Sequence, residues 1–215
     1  MELSLKYLIR EPKLKKEKNP IILLLHGYGS NEADLFSFAT ELPDEYYIVA
    51  ARAPYDLQYG SYAWYAINFD EGMNKFTDDA QAIVSRDKIV TFIDELTANF
   101  AIDKDAVTLV GFSQGSILSY AVALSNPNKV KQVAALSGYI HDSIFAENYA
   151  QNDFSNFRIF ASHGSVDQVI PVQWARMAKP FLENLNIDVE YLEYPVGHGV
   201  APQNFADFIK WLEKK

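Results

Sequence analysis

The chain of 215 residues has no cysteine. Disulfides, thiolate nucleophiles and cysteine-ligated zinc are therefore excluded, and nothing in the composition marks a redox compartment. Histidine is scarce, with four in all, so each candidate base can be weighed individually. Positive charge is in deficit: 19 Lys and Arg against 28 Asp and Glu leave a formal net charge of −9. A nucleic-acid binder needs a basic footprint, so no nucleic-acid partner is expected. The same deficit disfavours docking on anionic membranes. Long apolar runs are missing too. The most apolar short run, Ile21–Leu25, is far too short to span a bilayer. The opening residues Met1-Glu2-Leu3-Ser4 lack the basic start, apolar stretch and small-residue cleavage site of a signal peptide. No stable membrane insertion and a cytoplasmic location are the expectations.

What is present suits a folded domain. Residues classed as hydrophobic make up 49% of the chain, enough to fill a sizeable core. The length, without repeats or Gly/Ser linkers, predicts one domain over 1–215. Short apolar runs bounded by Gly or Pro occur at Ile21–Leu25, Tyr47–Ala51, Val107–Val110, Val133–Leu136, Arg158–Ala161 and Val189–Leu192. Such runs are what parallel strands show when helices cover both faces. Leu3–Ile9 alternates and predicts an antiparallel edge strand. Lys13, Lys15, Lys16 and Lys18 read as a solvated hairpin turn. Helices are predicted over Asp78–Phe100 with Thr77 or Asp78 as N-cap, over Gln114–Ser125, over Trp174–Asn184, and at the C-terminus around Phe205, Phe208, Ile209 and Leu212. The alternation implies a mostly parallel, doubly wound α/β sheet with helices on both faces.

Between the run Val107–Val110 and the helix from Gln114 stands Gly111-Phe112-Ser113-Gln114-Gly115, a G-x-S-x-G motif. A serine between two glycines could simply cap a helix. The strand before it and the helix after it are instead the setting in which such a serine becomes a nucleophile of the α/β-hydrolase type. A sharp turn lifts the hydroxyl out of the sheet, and the new helix turns its N–H groups toward a developing oxyanion. A serine hydroxyl needs a base, and the base needs an orienting acid.

In this fold the chain order is Ser, acid, His. His26 precedes Ser113 and reads as a structural residue bonding within its turn. Of the three later histidines, His141 has no nearby acid anchor, since the adjacent Asp142 lacks the required setting, and reads as a surface or pocket-rim residue. His163 precedes Asp167, so the order Ser, Asp, His with Asp167 as acid requires His198, in Pro195-Val196-Gly197-His198-Gly199. His163 then shapes the turn that carries Asp167. The other acids in the interval, including Asp142, Asp153 and Glu183, lack the setting of Asp167 just past a buried strand and before Ile170-Pro171. The candidate catalytic set is Ser113, Asp167 and His198. The Gly-rich turn His26-Gly27-Tyr28-Gly29 supplies a second oxyanion donor, so the backbone N–H groups of Tyr28 and Gln114 are the candidate hole. Aromatics crowd Tyr55, Tyr59, Tyr62, Trp64, Tyr65 and Phe69 in a broken segment that could roof an acyl pocket. Trp64, Tyr65, Tyr139 and Val169 are the candidate pocket residues. No metal and no cofactor are called for.

With these residues in place, the sequence resembles the phospholipase/carboxylesterase family of small α/β-hydrolases, which includes the acyl-protein thioesterases. The resemblance spans nearly the whole chain. It rests on His26-Gly27-Tyr28-Gly29 with Asp34-Leu35, on Ala51-Arg52-Ala53-Pro54, on the segment around Trp64, on Gly111–Gly115, on His163-Gly164-Ser165-Val166-Asp167 and on Gly197-His198. It implies a Ser–Asp–His triad at Ser113, Asp167 and His198, an oxyanion hole at Tyr28 and Gln114, and hydrolysis of carboxylic esters or thioesters on small-molecule ester or acyl substrates. The family often has Trp-Phe-Asp where this chain reads Trp64-Tyr65-Ala66-Ile67-Asn68-Phe69-Asp70, so the pocket loop differs. A carboxylesterase is the first expectation, an acyl-protein thioesterase or lysophospholipase the second. A catalytically silent binding protein on the same fold is the rival of another class. Oligomeric state is left open, a homodimer included.

Overall fold

A computed structural model describes residues 3–69 and 75–214. The strands, in chain order, are β1 Tyr7–Arg10, β2 Asn19–Leu25, β3 Tyr47–Ala51, β4 Tyr55–Asp56, β5 Tyr62–Ala63, β6 Ile67–Phe69, β7 Lys75–Thr77, β8 Ile102–Phe112, β9 Gln132–Leu136, β10 Arg158–Gly164 and β11 Asp188–Tyr194. The α-helices are α1 Glu32–Phe36, α2 Asp79–Asn99, α3 Gln114–Ser125, α4 Val172–Arg176, α5 Ala178–Asn184 and α6 Pro202–Glu213.

Seven strands form one sheet in the order β1-β3-β2-β8-β9-β10-β11. Every pairing in it is parallel except β1 with β3. The order reverses direction at β2 and β8, and in open α/β sheets functional groups gather outside the strand ends at such a switch point. The alternation within β2 explains why both faces must be covered. Ile21, Leu23 and Leu25 join the core beneath α2, α3 and α5. Ile22 and Leu24 join the core beneath α1 and α6, with Leu35, Phe208 and Trp211. A strand with water on one face could not carry five consecutive buried aliphatics.

Each apolar run that predicted a parallel strand lies in one; of the predicted edge strand Leu3–Ile9 only residues 7–9 are strand, β1 being Tyr7–Arg10, antiparallel at the edge, with residues 3–6 outside it. Two further readings need correction. The lysine segment is not a hairpin turn: β1 pairs with β3 and not with β2, so residues 11–18 cross over instead, with Lys13 paired to Asp44. The helix predicted over Trp174–Asn184 starts earlier and is broken at Met177 into α4 and α5. Along α2 the buried face is Ile89, Phe92, Ile93 and Leu96, while Ile83 and Val90 sit at its half-buried edge. Of the two N-cap candidates, Asp78 caps α2 by accepting the Gln81 N–H. The aromatic segment forms two short hairpins, β4–β5 and β6–β7. Asp70, the end of the divergent family segment, lies outside the described residues. Among the described residues, no helix is long and apolar enough to cross a membrane.

Candidate active site

Ser113 sits between the last residue of β8 and the first of α3, with φ 54° and ψ −116°. That left-handed backbone is costly for a residue with a Cβ, and it persists only where packing imposes it. The packing here is explicit. A Cβ on Gly111 would lie 2.3 Å from the carbonyl oxygen of Gly115, and one on Gly115 would lie 2.0 Å from that of Leu25. The two glycines let β8, α3 and the end of β2 pass at backbone contact. The Ser113 N–H is tied to Leu136 O on β9 at 2.9 Å. A strained serine, raised above the sheet, follows from that pinch.

The other two residues arrive on neighbouring loops. Asp167 lies beyond β10 and His198 beyond β11, adjacent parallel strands. The two loops are tied together by Ser165 N–H to Tyr194 O at 2.7 Å and Val166 N–H to Val196 O at 3.3 Å. A Cβ on Gly164 would strike Gly197 O at 2.1 Å, so the loops touch backbone to backbone. His198 Nε2 is 2.9 Å from Ser113 Oγ, and His198 Nδ1 is 2.7 Å from Asp167 Oδ2. Asp167 Oδ1 accepts the N–H groups of Val169 at 2.8 Å and Ile170 at 2.9 Å. Phe112 packs on the His198 ring at 4.9 Å between centroids.

Burial pushes the Asp167 carboxyl up, but the Ile170 N–H, the bond to His198 and the Val169 N–H outweigh it. Its pKa lies below the usual carboxylate value. An ionised Asp167 requires the proton on His198 Nδ1, which leaves the Nε2 lone pair facing the serine hydroxyl.

His163 does not compete for this place. It is buried, with Nε2 2.9 Å from Ile170 O, to which it donates, and 3.3 Å from Asp167 Oδ2. It braces the turn that carries Asp167. His26 is also buried, and burial lowers its pKa. Its Nδ1 donates to Gly27 O at 2.8 Å and its Nε2 accepts the Ala53 N–H at 3.1 Å.

The N–H groups of Tyr28 and Gln114 give no hydrogen bond to an acceptor among the described residues, in contrast to the N–H of Gly29, which is bound to Tyr62 O. The Gln114 side chain has a task the sequence did not reveal. Its Oε1 accepts the Trp64 N–H at 2.8 Å and its Nε2 donates to Tyr65 O at 2.7 Å. The aromatic segment is thereby strapped to the first residue of α3.

A cavity of about 620 Å³ opens beside Ser113 and His198. Of the candidate pocket residues, Tyr65, Tyr139 and Val169 line it. Trp64 does not. It is fully buried below, its indole N–H donating to His26 O at 2.9 Å and its ring 5.6 Å from the His26 ring. Trp64 and Tyr65 lie in the bend between β5 and β6, which turns one into the core and the other onto the cavity, a choice apolarity alone cannot assign. The sequence missed Ile117, Trp174 and Asp79 as lining residues. His141 lines the same cavity, and its acid partner is not the adjacent Asp142 but Asp79, 62 residues away, at 2.7 Å from its Nε2.

A strained serine at a strand–helix turn, with a histidine and an aspartate brought to it from later parallel strands, defines the class: an α/β-hydrolase acting on ester bonds. The sequence profile of the phospholipase/carboxylesterase family matches residues 8–215, and the chain belongs to that family. It is similar to acyl-protein thioesterase 1 of Mycosarcoma maydis, 27% identical over 232 residues, covering 98% of this chain and 97% of that one. It is also similar to the solved structure of esterase PE8, at 26% identity and a TM-score of 0.81, covering 100% and 99% of the two chains. A carboxylesterase structure from Mesorhizobium loti superposes with a TM-score of 0.83 over 100% of this chain and 97% of that one. At 19% identity it speaks to fold alone.

Proposed function

We propose that the protein, read as one domain over 1–215, is a carboxylesterase that works through an acyl-enzyme on Ser113. The observation that carries the reading is the continuous chain Ser113 Oγ–His198–Asp167, at 2.9 Å and 2.7 Å. In the first half-reaction Ser113 Oγ attacks the ester carbonyl while its proton passes to His198 Nε2. The N–H groups of Tyr28 and Gln114 receive the charge that develops on the carbonyl oxygen. The tetrahedral species collapses, the C–O bond to the leaving alkoxide breaks, and His198 returns the proton to it. A water then gives its proton to His198 and attacks the acyl carbonyl. Collapse releases the carboxylic acid and restores the Ser113 hydroxyl. Asp167 stays ionised throughout and stabilises the imidazolium.

The long match to an acyl-protein thioesterase favours a second reading, in which the leaving group is a thiolate and the steps are otherwise the same.

The test is active-site labelling. A fluorophosphonate should modify the protein once, at Ser113 by peptide mapping. Ser113→Ala should lose labelling together with turnover of p-nitrophenyl esters, on the order of 10⁶ in kcat. Labelling elsewhere, or an active Ser113→Ala protein, refutes the assignment. A parallel series of oxygen esters and thioesters of equal acyl length separates the two readings.

A further inference from the structure

The cavity beside Ser113 has a charged wall that neither the triad nor the oxyanion donors require. Asp79, at the first turn of α2, lines it together with Thr77 and His141. Asp79 Oδ1 accepts the Thr77 hydroxyl at 2.7 Å and lies 2.7 Å from His141 Nε2. The Thr77 hydroxyl and His141 Nε2 thus meet on the same oxygen of the Asp79 carboxylate. Burial pushes the Asp79 carboxyl up, yet the bonds from His141 and Thr77 prevail and hold it below the ordinary carboxylate value.

Among the described residues that line the cavity, Asp79 is the one carboxylate, and there is no Lys or Arg to balance it. The remaining titratable side chains on the cavity are His141, His198, Tyr28, Tyr65 and Tyr139. Aromatic rings stand beside the charge. Tyr139 lies 6.1 Å from the His141 ring and 5.2 Å from the Trp174 ring, centroid to centroid. The charge of Asp79 reaches the hydroxyls of both Tyr65 and Tyr139, helping burial to raise their pKa values.

A plain alkyl chain seated here would desolvate a carboxylate without replacing its water. An acidic group would meet like charge. A cationic group finds a countercharge and aromatic faces together, the combination that recognises organic ammonium ions. The geometry points to a substrate that carries an ammonium group, protonated or quaternary, held by Asp79 between the aromatic side chains while its ester bond lies at Ser113. Asp79 is then a specificity determinant, with Thr77 and His141 as its positioning residues. This inference rests on the proposed esterase reading of Ser113.

The experiment compares two acetate esters of nearly equal shape, one of a trimethylammonioethyl alcohol and one of 3,3-dimethylbutanol, at mildly alkaline pH. Wild type should favour the cationic ester in kcat/KM by about tenfold, the size of a single cation–aromatic or exposed charge contact. Asp79→Asn keeps the shape and both hydrogen-bonding neighbours, and its ratio should fall to near one. Should Asp79→Asn fail to fold, wild type alone decides: benzyltrimethylammonium should inhibit hydrolysis of the neutral ester competitively, and its uncharged tert-butyl isostere should inhibit at least several-fold more weakly. A wild-type ratio near or below one, a ratio unchanged in Asp79→Asn, or equal inhibition by the two isosteres overturns the inference. Ser113→Ala run beside them separates the two claims. Loss of both ester activities with a ratio of one in wild type leaves the esterase reading standing and removes only the ammonium site.

Discussion

Asp167→Asn probes the proton geometry of the site without altering its shape. In the native protein Oδ1 takes two backbone N–H groups, from Val169 and Ile170, and Oδ2 faces His198 Nδ1. An asparagine must keep its carbonyl oxygen toward those two N–H donors, because the opposite flip would set an amide NH₂ against them. The NH₂ then occupies the position of Oδ2 and donates to His198 Nδ1. The imidazole is held in the tautomer with its proton on Nε2, which points at Ser113 Oγ. Nucleophile and base both carry a proton at the same contact, and the lone pair that should deprotonate the serine is gone. The loss expected from a wrong tautomer is about 10⁴ in kcat, or roughly 5 kcal/mol in the barrier. KM should change little, since Asp167 does not line the cavity. Steady-state hydrolysis of a p-nitrophenyl ester measures both constants. A variant that keeps more than a tenth of wild-type kcat, or that loses efficiency through KM alone, would refute the reasoning.

Two further outcomes test the scaffold. Gly115→Ala places a methyl group 2.0 Å from Leu25 O and 2.8 Å from His26 O, both backbone atoms, so it should destabilise the fold by about 3 kcal/mol, read as a lowered urea midpoint; a wild-type midpoint would contradict the packing described for the serine turn. Glu32 on α1 makes a two-pronged bond to Arg52, which lowers the Glu32 pKa below its ordinary value. A carboxyl depressed in the folded state stabilises above its unfolded pKa of about 4.3, and that contribution disappears as pH falls through the folded value. The Tm of wild type should therefore exceed that of Glu32→Gln near neutrality, and the gap should close in acid; a gap that widens on acidification reverses the sign and rejects the account.

The candidate site residues were legible where local sequence itself carries the constraint. Gly111 and Gly115 flank Ser113 because strand and helix backbones meet there, and that demand shows as a motif. Chain order separated His198 from His163, since parallel strands deliver successive loops to the same edge. The pocket was less legible. Trp64 and Tyr65 are equally apolar on paper, yet one is core and the other cavity wall, and the choice depends on a strap from Gln114 fifty residues away. The acid partner of His141 escaped because it is contributed by the start of α2 and not by the adjacent Asp142. The break at Met177 and the crossover of the lysine segment escaped for a related reason: each follows from which strand a segment must reach, and no short window contains that information.

What the sequence by itself determined is the type of fold and the order of its parts. Apolar runs bounded by turn residues call for buried parallel strands, and a serine pinched between glycines at a strand–helix junction calls for a base and an acid from later loops. Only the tertiary structure decided what stands around Ser113. The ends of β8, β10 and β11 bring three residues within hydrogen-bond reach, and the junction of β7 and α2 with the loop after β9 sets Thr77, Asp79 and His141 on the same cavity. The physical reason is range. Backbone and hydrophobic periodicity act over a few residues and are written locally, whereas a cavity wall is assembled from side chains whose separation in sequence bears no relation to their separation in space.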